Sequence, residues 1–174
     1  MRTLLTLAII TLGYSFSFAQ TTDPKTTVKK AAKDMGTALV KKDYRSFIKT
    51  TYPSAVAATE GGEEKLIKDL QTQIAQMEKE GTTVIALWPG EPSKFVDTAG
   101  ELQCTIPQKM TMKIPEGKLT TETTLIALSP DKGKTWYFMD TADRSIRKMR
   151  EMFPNISSKL IIPKSAEPKL EPNK

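Results

Sequence analysis

From Glu101 to Ile114 the chain alternates with a period of two. Leu102, Cys104, Ile106, Met110, Met112 and Ile114 share one parity, and Glu101, Gln103, Thr105, Lys109, Thr111 and Lys113 share the other. Successive side chains of an extended strand point to opposite faces, so this pattern predicts one long strand with a buried face and a wet face. Pro107 falls on the wet parity but supplies no ladder donor, which predicts an edge position or a bulge there.

The neighbouring segments supply partners for this strand. Pro115-Glu116-Gly117 forms a turn into a strand from Lys118 to Ser129, whose run Leu125, Ile126, Ala127 and Leu128 is apolar on both parities and therefore central. Trp136 to Asp140 returns beside it. Val84 to Trp88, closed by Pro89-Gly90, makes a further strand, and Phe95 and Val96 a short partner.

Before Gly81 the period is helical. Asp23 caps a helix that begins at Pro24 and runs to Lys41, with Val28, Ala31, Ala32, Met35 and Leu39 on one face. Asp43 caps a short second helix carrying Tyr44, Phe47 and Ile48, which must end by Tyr52 because Pro53 disfavours helical geometry before it. An extended piece through Ala55 to Ala58 is expected next. Gly61-Gly62 breaks the chain ahead of a long third helix with Leu66, Ile67, Leu70, Ile74 and Met77 on one face, Glu63 and Glu64 at its positive end and Gly81 as its stop. After the sheet, Thr141 caps a last helix bearing Ile146, Met149 and Phe153, followed by a short extended piece from Leu160 to Ile162. The reading is α+β, with three N-terminal helices packed on an antiparallel sheet.

The opening segment MRTLLTLAIITLGYSFSFAQ has one charge at Arg2, an apolar run to Leu12, and small residues at Ser17 and Ala19. That is the layout of a signal peptide cleaved after Ala19, and interruption by Thr3, Thr6, Thr11 and Gly13 argues against a permanent membrane anchor. Residues 1–19 are thus read as a leader, 20–162 as one domain, and 163–174, rich in Pro, Lys and Glu, as a disordered tail. The expected location is periplasmic or extracellular. Cys104 is the only cysteine, so no intramolecular disulfide forms, and Cys104 reads as a small buried hydrophobe. Histidine is absent, which removes typical zinc sites, His-based triads and His general bases. No metal or cofactor is expected. The net charge of +6 is spread along the chain without interleaved aromatic residues, and no nucleic-acid motif is present.

Ser129-Pro130-Asp131-Lys132-Gly133-Lys134-Thr135-Trp136 resembles the Asp-box, Ser-x-Asp-x-Gly-x-Thr-Trp, found at hairpin turns in sialidases and other propeller proteins. A propeller needs several copies, so this single one reads as a hairpin staple rather than a catalytic or sugar-binding element. The order of elements carries a second likeness. Helix, short helix, the Tyr52-Pro53-Ser54-Ala55-Val56 link, Gly61-Gly62-Glu63 opening a third helix and a long antiparallel meander resemble the NTF2-like superfamily of SnoaL and ketosteroid isomerase domains. The resemblance covers nearly all of residues 24–141. It implies a curved sheet wrapping the helices into a cone whose cavity serves some members as an active site and others for binding small ligands or proteins. Paired sheets in that superfamily imply a possible homodimer.

On that expectation Tyr52, Trp88, Met110, Met112 and Tyr137 are the candidate ligand-binding residues, with plain core packing as the commoner meaning of such side chains. Asp140 and Asp97 are the strand-associated carboxylates available to a general base. Asp140, on the parity of Trp136 and Phe138, reads equally as a strand-end cap, and Asp97 as part of the loop before Gly100. No catalytic signature of an enzyme in the superfamily maps onto this chain. Arg144, Arg147, Lys148 and Arg150 form a basic cluster, read either as a solvated helical face or as contact with an anionic envelope surface or acidic partner. The expected function is a module binding a small apolar ligand or an envelope protein. A cofactor-free lyase or isomerase using a buried carboxylate is the alternative. A third reading joins the Asp-box hairpin and the basic helix as a partner surface.

Overall fold

The computed structural model describes residues 23–98, 100–142 and 144–173. The expected leader lies outside them. Helix α1 (Pro24–Val40) starts on the Asp23 carboxylate, which accepts from the Lys25 and Thr26 amides. Helix α2 (Tyr44–Ile48) starts on Asp43, which accepts from the Ser46 amide at 3.1 Å. The extended piece expected over Ala55 to Ala58 is instead a helical turn, α3 (Pro53–Ala57). The reason is local: Pro53 holds Tyr52 out of helical geometry, at ψ 126°, while its own fixed φ suits the first position of a new helix. Helix α4 (Gly62–Lys79) packs on α2 and α3. Among the described residues four helices, not three, therefore precede the sheet.

The sheet has six antiparallel strands: β1 (Thr83–Pro89), β2 (Val96–Thr98), β3 (Glu101–Ile114), β4 (Gly117–Ser129), β5 (Tyr137–Asp140) and β6 (Lys169–Pro172). Two long strands, β3 and β4, pair without a register break from Leu102↔Ser129 to Ile114↔Gly117. Short strands flank them end to end, β1 and β2 along β3, β5 and β6 along β4. Pro107 is thus in an interior strand with no bulge of its own. Its carbonyl accepts from the Gly90 amide at 2.7 Å, so residue 107 faces the place where β1 has ended and a ladder donor has no partner to serve.

Each face of the sheet carries a core. On one, Val28, Ala32 and Met35 of α1 meet Cys104, Ile106, Leu125, Ala127 and Phe138, with Trp136 at the end. Burial pushes the Cys104 thiol up to about 12, so it stays a neutral packing group. On the other face Ile126, Leu128 and Met139 meet Tyr52, Met149, Ile156 and Leu160. Helix α5 (Ile146–Met152) and the segment after it supply this second layer; Ser145 rather than Thr141 caps α5, its hydroxyl accepting from the Lys148 amide.

The second layer corrects the expectation of a wet face on β3. Gln103 and Thr105 are buried. The Gln103 amide donates to Asn155 O at 3.0 Å and accepts from the Ser157 amide at 2.9 Å, and Thr105 Oγ1 donates to Ile161 O at 3.0 Å. These side chains anchor a covering segment and lose no hydrogen bonding by burial. Within residues 163–174 the strand β6 pairs Lys169–Pro172 with Gly117 to Thr120 of β4.

Candidate functional site

The register of the sheet sets the floor of the site. On the α1-facing side, Cys104 lies opposite Ala127, which lies opposite Phe138. One row further on, Ile106 faces Leu125 and Leu125 faces Asp140. In the next row, Gln108 lies opposite Thr123. The lining thus changes from apolar to polar within two rows.

A half-open cavity of about 490 Å³ occupies this place. Gln108, Leu125 and Phe138 line it from the sheet. Met35 of α1, Phe47 of α2 and Ala55 of α3 close it from the helical side, and Met149, Met152 and Phe153 from α5 and its end. Thr51, Thr59, Asp140 and Arg144 supply polar groups. The volume lies within the few hundred to about 1,000 Å³ usual for small-molecule sites, and an apolar lining with a few polar groups is their usual composition.

Asp140 is exposed. Its Oδ1 accepts from Thr123 Oγ1 and from the Ala142 amide, both at 2.7 Å. Gln108 differs sharply. It is only 5 % exposed, and its Nε2 has no hydrogen-bond partner among the described residues. An unpartnered buried donor costs about 1–3 kcal/mol. The sequence reading missed it, although a signal was there: Gln108 shares the parity of Ile106 and Met110 and is the polar residue of that face.

The expected ligand residues are dispersed. Tyr52 is buried in the second core, its ring edge-on to Phe153 at 6.3 Å. Its hydroxyl donates to Glu101 Oε1 at 3.0 Å and accepts from Asn155 Nδ2 at 2.7 Å, while Asn155 Nδ2 also donates to Glu101 Oε2 at 2.8 Å. Burial raises the pKa of Tyr52 above its ordinary value, and the Glu101 carboxylate adds to the rise against opposing bonds from Ser54 and Asn155. Trp88 is 56 % exposed on β1, with the Lys33 ammonium 5.8 Å from its ring centroid, beside a smaller groove between α1 and β1. Met112 is buried and Met110 half-buried on the α1-facing parity of β3, outside the cavity lining. Tyr137 lines a separate shallow groove against α3. Asp97 is exposed on β2, opposite Leu102. Of the seven candidates, only Asp140 borders the cavity.

The residues of the basic cluster take different partners. Arg147 and Lys148 both lie against Glu151, and Arg150 Nε donates to Ile156 O at 3.0 Å. Arg144 stands at the cavity, where its Nη1 reaches Thr141 O at 3.5 Å. The turn of the Asp-box hairpin is held by its own side chains. Asp131 Oδ1 accepts from the Thr135 and Lys134 amides and from Ser129 Oγ, and Ser129 Oγ accepts from the Gly133 amide. Burial works to raise the pKa of Asp131, but the bonds from Thr135 and Ser129 outweigh it and hold it below the ordinary carboxylate value.

Among the described residues, no group of three or more Cys, Asp or Glu side chains is placed to hold a metal ion, and no helix is long and apolar enough to cross a membrane. No protein-family model matches the chain, and no curated protein is similar to it.

Proposed function

We propose that this chain is an exported domain of NTF2-like type whose function is to bind a small, mainly apolar ligand. The observation that carries this reading is the cavity of about 490 Å³ with a buried, unpartnered Gln108 amide in its lining. A core position filled only for stability would hold an apolar side chain or a satisfied polar one. The NTF2-like assignment draws its support from the order of helices, the Tyr52-Pro53 link and the long paired strands β3 and β4. Export draws its support from the leader pattern alone.

A cofactor-free lyase or isomerase is the second reading, and Asp140 at the cavity is the observation in its favour. Binding is preferred because a cavity base of that kind works from a desolvated position, whereas Asp140 is exposed and already holds Thr123 and the Ala142 amide. Native mass spectrometry of the chain purified from its own envelope or medium tests the proposal and reports the subunit count of any homodimer. A retained small molecule is the expected result. A chain that carries no adduct and takes up none from a set of apolar compounds would sink the reading.

A further inference from the structure

We infer that the cavity takes a zwitterion, an apolar α-amino acid whose ammonium sits on Asp140, whose carboxylate sits on Arg144 and whose side chain enters the apolar lining. The inference rests on the binding reading above and adds the chemistry of the ligand.

Two opposite charges border the cavity without neutralising each other. Asp140 and Arg144 both line it and both are exposed, so a molecule entering from solvent can reach them. In the β4–β5 register Asp140 lies opposite Leu125, one row on from Ala127 and Phe138. Its carboxylate therefore stands on the face of the sheet from which Leu125 and Phe138 line the cavity. Oδ1 accepts from Thr123 Oγ1 and the Ala142 amide, whereas Oδ2 takes no hydrogen bond among the described residues. Arg144 makes no ion pair among the described residues, and its Nη1 has only a long hydrogen bond to Thr141 O at 3.5 Å.

This arrangement of charge decides the class of ligand. A singly charged molecule gains from one of the two groups and is repelled by the other, so its net gain is small. An uncharged molecule gains from neither. A zwitterion gains from both. The chain also sets how far apart the ligand's charges stand. The Arg144 amide donates to Thr141 O at 2.9 Å, closing a turn, and the guanidinium reaches that same carbonyl, one residue beyond Asp140. The two charges are thus close neighbours in the lining, which suits an ammonium and a carboxylate carried on one α-carbon.

The rest of the lining suits an apolar side chain. Phe47, Phe138, Phe153, Met35, Met149 and Met152 border the cavity, whose volume of about 490 Å³ has room for an aromatic ring. Aromatic and thioether groups pack favourably on such a ring, and unbranched methionines adapt to its shape.

The test uses the purified chain and four probes on one carbon frame, L-phenylalanine, 2-phenylethylamine, 3-phenylpropanoate and ethylbenzene, with affinities from NMR titration at neutral pH. Phenylalanine is expected to bind about tenfold tighter than either singly charged probe, the size of effect that one charge-assisted hydrogen bond produces. Asp140→Asn keeps an acceptor for Thr123 and Ala142, and should bring phenylalanine down to the affinity of 3-phenylpropanoate. Arg144→Gln should bring it down to that of 2-phenylethylamine. Both side chains are exposed, so neither change threatens the fold, and the comparison of probes in the unaltered protein stands without them. Phenylalanine binding no tighter than the better of the singly charged probes, or keeping its affinity in either variant, would overturn the inference while leaving the cavity a binding site. Binding of none of the four probes would overturn the binding reading itself.

Discussion

Trp136 Nε1 donates to Thr27 Oγ1 at 2.9 Å across 109 positions of sequence, and the same hydroxyl donates to Gly133 O at 2.7 Å. The indole is 4 % exposed and lies tilted at 42° against Phe95, with ring centroids 5.9 Å apart. The Asp-box hairpin is thereby clamped to the first turn of α1. Gly133 makes the approach possible: its φ is +94°, and a Cβ there would stand 3.2 Å from Pro24.

Thr27→Val keeps the shape of this joint and removes its hydroxyl. The indole retains a second acceptor, Gly133 O at 3.2 Å, so the expected loss is about 1 kcal/mol rather than the full cost of an orphaned donor. Urea unfolding followed by tryptophan emission measures it. Asp131→Ala should cost more, about 1–2 kcal/mol, because it releases two amides and one hydroxyl. A loss no larger than that of Thr27→Val would show that the turn holds itself without the box.

Gly36 sits inside α1, where alanine ordinarily stabilises a helix by about 1 kcal/mol. Here a Cβ would lie 2.7 Å from Leu87 Cβ and 3.2 Å from Leu87 O, so helix and strand β1 would have to separate. Overpacking of this kind costs about 1–3 kcal/mol and outweighs the helical gain, so Gly36→Ala should lower the melting temperature. A rise in melting temperature would mean that α1 shifts on β1 without cost.

The Glu91 carboxylate receives Lys29 and Lys25 from α1, and these hydrogen bonds pull its pKa from 4.5 down to about 2. A folded-state value below the unfolded one gives stability that is complete above about pH 4.5 and is lost as the pH falls toward 2. Glu91→Gln should therefore melt below the unaltered protein at pH 6, with the difference shrinking through that window. All three groups are exposed, so the effect is small and weakens with added salt. A difference that persists unchanged to pH 2 would assign it to packing.

Asn155 joins Tyr52 and Glu101 through one side-chain amide, while its carbonyl takes the Gln103 amide. Asn155→Leu keeps the branching at Cγ and leaves a carboxylate and a phenol partly buried with fewer partners. The expected loss is about 2–3 kcal/mol, with faster protease cleavage after residue 152 while the α1-facing core stays intact. Cleavage at the unaltered rate would show that Ile156 and Leu160 alone hold the segment down.

The cavity was only partly legible in the sequence. Asp140 was readable as a strand-end carboxylate on the parity of Phe138, and it does border the cavity. Gln108 was equally visible as a polar residue on an apolar parity, but the meaning of that exception depends on which segment covers it. The five aromatic and methionine candidates share the chemistry of the cavity lining and lie elsewhere, because residue type says what can line a pocket and only packing says where the packing fails.

What the sequence determined by itself is local. The caps at Asp23 and Asp43, the span of β3 and the double-sided burial of Leu125 to Leu128 follow from hydrogen bonds and periodicities within a few residues. Tertiary structure decided what covers each face. Residues 155–161 lie on Gln103 and Thr105, and residues 169–172 complete an edge of β4. The alternation of a strand separates its two faces but does not say whether water or a remote segment of chain meets the polar one. That choice rests on hydrogen bonds and buried area between residues about 50 positions apart.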